Sequence, residues 1–296
     1  MKPAPIALFA YNRPEHLART LAALRRNELA AESDLHVFAD GAKSPAHAEG
    51  VARVREILRD LRGFRSISVT AREQNWGLAR SIISGVSQMV AEHGRVIVVE
   101  DDLHTSPYFL RYLNEALELY AADDRVVSAH AYVYPVARAL PETFFLRGAD
   151  CWGWATWRRG WQVFNPDGTA LLAQLEARGL TGQFDFNRTF AFTEMLRRQI
   201  AGKNDSWAIR WYASAFLADK LTLYPGISLV RNIGMDASGA HCGTTTAFDA
   251  TIADRHLNIE RQPLLEAVEG RLAFEGFFRR QTAPKRKSWL TRIFGQ

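Results

Sequence analysis

From the amino terminus to residue 130, short apolar runs alternate with longer stretches whose apolar positions recur every three or four residues. "PIALFAY" reads as a strand, and "RPEHLARTLAALRRNEL" as a helix with Pro14 in its first turn and Leu17, Leu21 and Leu24 on one stripe. "DLHVFAD" is a second strand ending at Asp40 and Gly41, followed by the helical "AHAEGVARVREILRDLRG". "FRSISVTA" gives a third strand, and "NWGLARSIISGVSQMVAEHG" a third helix stopped by Gly94. "RVIVVEDDL" is the fourth strand and "PYFLRYLNEALELYAAD" the fourth helix. This alternation predicts an α/β fold with a mostly parallel central sheet flanked by helices. In such sheets ligands collect at the carboxyl ends of the strands.

The second half is less regular. "CWGWATWRRGW" holds four of the eight tryptophans, "TFAFTEMLRRQIAG" and "NDSWAIRWYASAFLADK" read as helices, and "LTLYPGISLV" as two short strands. "NIGMDASGAHCG" is a Gly-rich loop. With no repeat or linker between them, both halves fall in one domain, residues 1–270, with residues 1–130 and 131–270 as its halves. Residues 284–296 form a separate basic amphipathic tail.

Composition narrows the function classes. At 47% apolar and 23% charged residues the 296-residue chain is an ordinary globular one. A net charge of +5, partly in the tail, gives no reason to expect nucleic acid as a partner. No apolar stretch approaches the roughly 20 residues of a membrane span. Asn12, Arg13 and Pro14 interrupt the first apolar run before a signal-peptide core could form. Two cysteines, Cys151 and Cys242, without a CxxC pair, agree with a reduced compartment, and one disulfide stays open. The chain reads as cytoplasmic.

The chemistry concentrates after "VIVV". Glu100, Asp101 and Asp102 repel one another at the end of a buried strand, and a positive charge among them would relieve this. Mg²⁺ or Mn²⁺ is such a charge, being held by one or two protein carboxylates while substrate phosphates complete the shell. The plainer reading is an acidic cap before a helix starting near Pro107. Arg13 and Asp40 end neighbouring strands and would meet the triplet at one sheet edge.

In order along the chain, "ALFAYNRPEHLARTLAAL", "FADGA", "NWGLARSIISGV" and "VIVVEDDL" resemble the nucleotide-binding half of GT-A fold glycosyltransferases, family 2-like. The E-D-D variant is most similar to the N-acetylglucosaminyltransferase I group and its bacterial relatives. The resemblance covers roughly residues 4 to 245 and weakens in the less regular, acceptor-binding C-terminal half. It implies Asp102 on the metal, Mn²⁺ or Mg²⁺, with Asp101 and Glu100 near the sugar, the ribose or the metal's water shell. It further implies that Asp40 contacts the nucleotide base, that Arg13 contacts the diphosphate or base, and that Arg80 lines the same pocket.

"NDSWAIRW" is similar to the segment that carries the family's catalytic Asp followed two residues later by Trp, which puts Asp205 and Trp207 in those places; an Asp there also suits a helix N-cap. "CWGWATW" matches a Gly-Trp loop near donor sugar and acceptor, so Trp152, Gly153 and Trp154 are candidates for sugar contact, against plain core packing. In "GMDASGAHCG", His241 matches a late metal- or diphosphate-contacting histidine, near Asp236. The tail's Trp289, Leu290, Ile293 and Phe294, among Lys285, Arg286, Lys287 and Arg292, suit an interfacial helix on anionic lipid at the inner membrane face.

The expectation is an inverting, metal-dependent glycosyltransferase. It would use a nucleotide-sugar donor, most naturally a UDP-sugar, on a glycan or lipid-linked acceptor. The alternatives are a nucleotidyltransferase and a glycan-binding protein on a degenerate transferase scaffold.

Overall fold

A computed structural model describes residues 2–236 and 245–282. The amino-terminal part runs β1 (Ile6–Ala10), α1 (Pro14–Arg25), β2 (Asp34–Ala39), α2 (Ala48–Arg59), β3 (Ser66–Ala71), α3 (Leu78–His93), β4 (Arg95–Glu100), β5 (Leu103–Thr105) and α4 (Phe109–Leu119). Then come β6 (Val126–His130), β7 (Thr143–Arg147), β8 (Trp154–Trp157), α5 (Arg158–Trp161), α6 (Gly168–Ala177), α7 (Thr181–Phe184), α8 (Phe192–Ile200) and α9 (Trp207–Leu217). The described chain closes with β9 (Leu221–Pro225), β10 (Val230–Asn232) and α10 (Val268–Thr282).

Eight strands form one sheet in the order β3-β2-β1-β4-β8-β6-β9-β7. Only β8 and β7 run against the rest, so the sheet is mixed but mostly parallel. The expected α/β class with helices on both faces is what the chain adopts. β5 and β10 form a separate antiparallel pair, Leu103 opposite Asn232, that projects from the acidic end of β4.

Alternation along β4 explains the unbroken apolar run. Ile97 and Val99 pack with Leu17, Leu21 and Leu24 of α1 and Leu113 and Leu117 of α4 on one face. Val96 and Val98 pack with Ile82, Val86 and Met89 of α3 on the other, beside Trp154, Trp161, Trp207 and Trp211. A strand covered on both sides can be apolar at every position. A third cluster of aromatic side chains, from Phe144 and Phe184 to Phe274 and Phe278, joins α6 to α10 and the β7 edge.

Candidate active site at the carboxyl ends of the strands

β1 and β4 are parallel neighbours with Phe9 opposite Glu100, so the residues that leave them emerge side by side. Arg13, placed by the turn from β1 into α1, reaches into the acidic triplet. Its Nη2 donates to Asp101 Oδ1 at 2.9 Å and to Asp102 Oδ2 at 2.7 Å. Asp101 also accepts the Tyr11 N–H through Oδ2 at 3.1 Å, and its carbonyl accepts the Thr20 hydroxyl at 2.8 Å. Asp101 and Asp102 are only 4% and 7% exposed.

Such burial without compensation would drive the acids to protonate. Burial, reinforced by Asp102 and Asp101, lifts Glu100 from 4.5 to about 8. Burial also raises Asp101, against the pull of Arg13. For Arg13 itself burial favours the neutral form, but the two carboxylates outweigh it and hold the guanidinium charged. The positive charge the triplet demands is thus present in the chain, as a side chain.

The same corner is roofed by the segment after β10. Ile233 N–H donates to the Asp102 carbonyl at 2.8 Å, and Gly234 lies directly against the Asp102 carboxylate and Arg13 Nη1. His16, one turn into α1, turns its Nε2 to the Ile233 carbonyl at 3.2 Å and to Asp236 Oδ2 at 3.1 Å; both are acceptors, which assigns the proton to that nitrogen. Asp236 therefore latches the segment to α1. His241 and residues 284–296 lie outside the described residues.

Among the described residues no group of three or more His, Cys, Asp or Glu side chains is placed to hold a metal ion. Two adjacent carboxylates at a strand end are nevertheless the donor set that Mg²⁺ or Mn²⁺ takes when a ligand's phosphates supply the remaining oxygens. Asp102 is of the donor type that role needs, and in this structure its Oδ2 is held by Arg13.

Asp40, at the end of β2, is engaged within the chain. Its Oδ1 accepts from the N–H of Gly41 at 3.0 Å and of Trp76 at 2.8 Å, and its Oδ2 accepts from Gly77 N–H at 2.9 Å and Asn75 Nδ2 at 3.0 Å. The carboxylate clamps the "NWG" turn that starts α3. Trp76 on that turn is sandwiched between Arg72, at 4.1 Å from the ring centre, and Arg80, at 4.0 Å. Arg80 stays exposed there, at the rim of the same edge.

The antiparallel strand β8 begins at this edge, with Trp154 opposite Val98 of β4. Trp154 is fully buried and stacks on Trp207 at 5.6 Å, so both tryptophans are core side chains here and neither offers a face to a sugar. Trp152 is partly exposed, edge-on to Tyr132 at 4.8 Å and to Phe248 at 5.9 Å. Gly153 has φ +68°, and a Cβ would press on Phe109 and Val230, so what its backbone approaches is protein.

Two residues absent from the sequence reading shape this loop. His130, fully buried at the end of β6, donates through Nδ1 to the Tyr132 carbonyl at 2.9 Å and accepts the Trp152 N–H through Nε2 at 3.0 Å. Burial lowers its pKa and keeps it neutral, as that acceptor role requires. Asp150, with 21% of its side chain exposed, accepts the Cys151 N–H at 2.8 Å and lies 4.0 Å from His130 Nε2. The one signal for it in the sequence is its place just before "CWGW".

Asp205 precedes α9. A three-residue link leads from α9 into β9, which is parallel to β6, so the start of α9 lies toward the carboxyl edge of the sheet. The Trp207–Trp154 stack fixes that start against the start of β8. Ser206 caps the helix, its Oγ accepting from Ile209 N–H at 3.2 Å. Asp205 is not the cap; it is 66% exposed and 3.6 Å from Arg210 Nη2.

No protein-family model matches the chain, and no curated protein does. Among solved structures it is similar to TarS of S. aureus, with 16% identity and a TM-score of 0.32 over 49% of this chain and 24% of that one. A TarS 1–349 structure gives 16% and 0.33 over 58% and 49%. The mannosyltransferase PcManGT from Pyrobaculum calidifontis, in complex with GDP-Man and Mn²⁺, gives 12% and 0.38 over 74% and 70%. The chain thus spans about a quarter of the one TarS chain and about half of the other. Likeness of this degree leaves function to the site itself.

Proposed function

We propose that this chain is a metal-dependent glycosyltransferase of GT-A type that moves a hexosyl or N-acetylhexosaminyl group from a nucleotide-sugar, a UDP-sugar in the first instance, to an acceptor hydroxyl. The observation that carries the reading is the convergence of Arg13 on Asp101 and Asp102 at the carboxyl edge of a mostly parallel sheet, where α/β folds bind nucleotides. Asp102 would hold Mn²⁺ or Mg²⁺, which when bound supplies positive charge to a departing diphosphate. Arg13 would pair with the diphosphate, whose geometry suits a guanidinium fork.

Asp205 would take the proton of the acceptor hydroxyl as that oxygen bonds to the anomeric carbon and the bond to the diphosphate breaks. Attack from the opposite face inverts the centre. Trp152, the partly exposed tryptophan of its loop, is the candidate platform for a sugar ring. The acceptor is read as a glycan or lipid-linked molecule, with the basic tail as a peripheral contact to the inner membrane face. Among the described residues no helix is long and apolar enough to cross a membrane.

The test is thermal shift of the full chain against UDP-, GDP-, dTDP- and CMP-sugars, each with Mn²⁺ and with EDTA, beside Asp102→Asn. A metal-dependent rise for one nucleotide class that Asp102→Asn removes is the expected result. Metal-independent binding of a sugar without any nucleotide effect would replace this reading with a glycan-binding one.

A further inference from the structure

Arg13 occupies the place where the triplet's compensating charge has to sit. Its Nη2 bridges Asp101 and Asp102, and it is on Asp102 Oδ2 that it makes the shorter contact, 2.7 Å. The guanidinium is itself largely enclosed, 17% exposed, with Nη1 against Gly234. A divalent cation on Asp102 would be a second positive charge beside the first, in a corner with little water to screen them. Removing Arg13 from the pair is costly in turn, because a buried guanidinium needs another anion.

We infer that Arg13 is an internal counter-ion that competes with the metal for Asp102 and couples metal entry to arrival of a diphosphate. This rests on the reading of Asp102 as the metal ligand. With no nucleotide present, Arg13 neutralises the carboxylates and metal affinity is low. A nucleoside diphosphate gives the guanidinium a bidentate partner, and the carboxylate it leaves becomes free for the cation. The coupling is reciprocal, so metal raises diphosphate affinity by the factor that diphosphate raises metal affinity.

Mn²⁺ binding to the full chain, followed by the loss of the free-ion electron paramagnetic resonance signal, reads this without any turnover. The variants are Arg13→Gln and Arg13→Lys; the lysine keeps a positive charge near the acids and carries the test if the glutamine variant does not fold. Each is measured with Mn²⁺ alone and with UDP or GDP added. Arg13→Gln is expected to bind Mn²⁺ alone about tenfold or more tightly than the wild type, and the gain on adding nucleotide is expected to shrink by a similar factor. Arg13→Lys is expected between the two.

Unchanged affinity for Mn²⁺ alone in both variants, with Asp102→Asn still abolishing binding, would overturn the counter-ion role and leave the metal reading standing. Binding that survives Asp102→Asn would remove the metal reading and this inference together.

Discussion

Gly234 seals the carboxylate of Asp102: a single added methyl would sit inside van der Waals distance of Asp102 Oδ2 and 2.6 Å from Arg13 Nη1. The residue is in the segment that His16 ties to α1 and the Asp102 carbonyl ties to the turn after β4, so it has little room to retreat. Gly234→Ala is expected to cost about 1–3 kcal/mol through overpacking. It should also break the Arg13–Asp102 contact, so the donor-induced thermal shift should fall by more than the loss of stability explains. Denaturant melts with and without nucleotide-sugar separate the two effects. A variant with wild-type stability and donor response would show that the segment does not hold its place over Asp102.

Asp40 tests whether a strand-end acid serves ligand or fold. Its two oxygens are met by the N–H groups of Gly41, Trp76 and Gly77 and by Asn75. In Asp40→Asn, either amide orientation turns an NH₂ toward those donors. The expected result is a loss of about 1–3 kcal/mol from unsatisfied buried groups, read as a lower denaturation midpoint in the absence of any nucleotide. Selective loss of nucleotide affinity at unchanged midpoint would support the base-contacting role the resemblance implies for Asp40.

These two residues also mark where sequence is legible. The first four strands of the sheet and helices α1 to α4 follow from periodicity, because each is a local pattern with its own stop signals, such as Pro14 and Gly94. The acidic triplet stood out as three charges ending an apolar run. What periodicity cannot carry is the insertion of β8 against β4, since four tryptophans in eleven residues mask the alternation of a strand. Nor could it show that Asp40 faces a turn 36 residues on, or that Gly234 roofs a site 132 residues earlier. Those are contacts of the closed chain. Trp154 and Trp207 looked equivalent to Trp152 by residue type, and only burial separates them.

Glu100 makes stability depend on pH in a definite direction. The folded chain keeps its proton up to about pH 8, while the unfolded chain releases it near 4.5, so unfolding between those values sheds a proton. The contribution of this group is full below the lower value, declines through the window and is gone above the upper one. Glu100→Gln preserves shape and removes the titration, so its denaturation midpoint should fall less steeply than the wild type's as pH rises across the window. Parallel midpoint curves would place the titration elsewhere.

Trp152 and Trp154, two residues apart, should fail in opposite ways. Trp154 is fully buried between Trp207 and Trp211, and Trp154→Ala is expected to cost about 3–5 kcal/mol. Trp152 is only partly buried, against Tyr132 and Phe248, so Trp152→Ala should cost less, about 1–2 kcal/mol, while raising the acceptor KM. Equilibrium unfolding and acceptor kinetics on both variants decide the assignment. A wild-type acceptor KM in Trp152→Ala would end its role as a sugar platform.

Asp205 carries two separable roles, a pair with Arg210 and the proposed proton transfer. Ser206 caps α9, but Asp205 is the acid 3.6 Å from Arg210, whose side chain is only 10% exposed, so Asp205→Asn should cost about 1–3 kcal/mol. If Asp205 takes the acceptor proton, transfer should drop by about 10²- to 10⁴-fold with the donor-induced thermal shift intact. The edge holds a rival carboxylate, Asp150, at the entry to the Trp152 loop beside neutral His130. Asp150→Asn should alter acceptor KM through the loop and leave the chemical step standing. The opposite pattern, with near-normal transfer in Asp205→Asn and collapse in Asp150→Asn at unchanged donor binding, would move the base to the loop before β8. Inversion would survive that change, because a carboxylate in either place acts on the hydroxyl and forms no bond to the sugar.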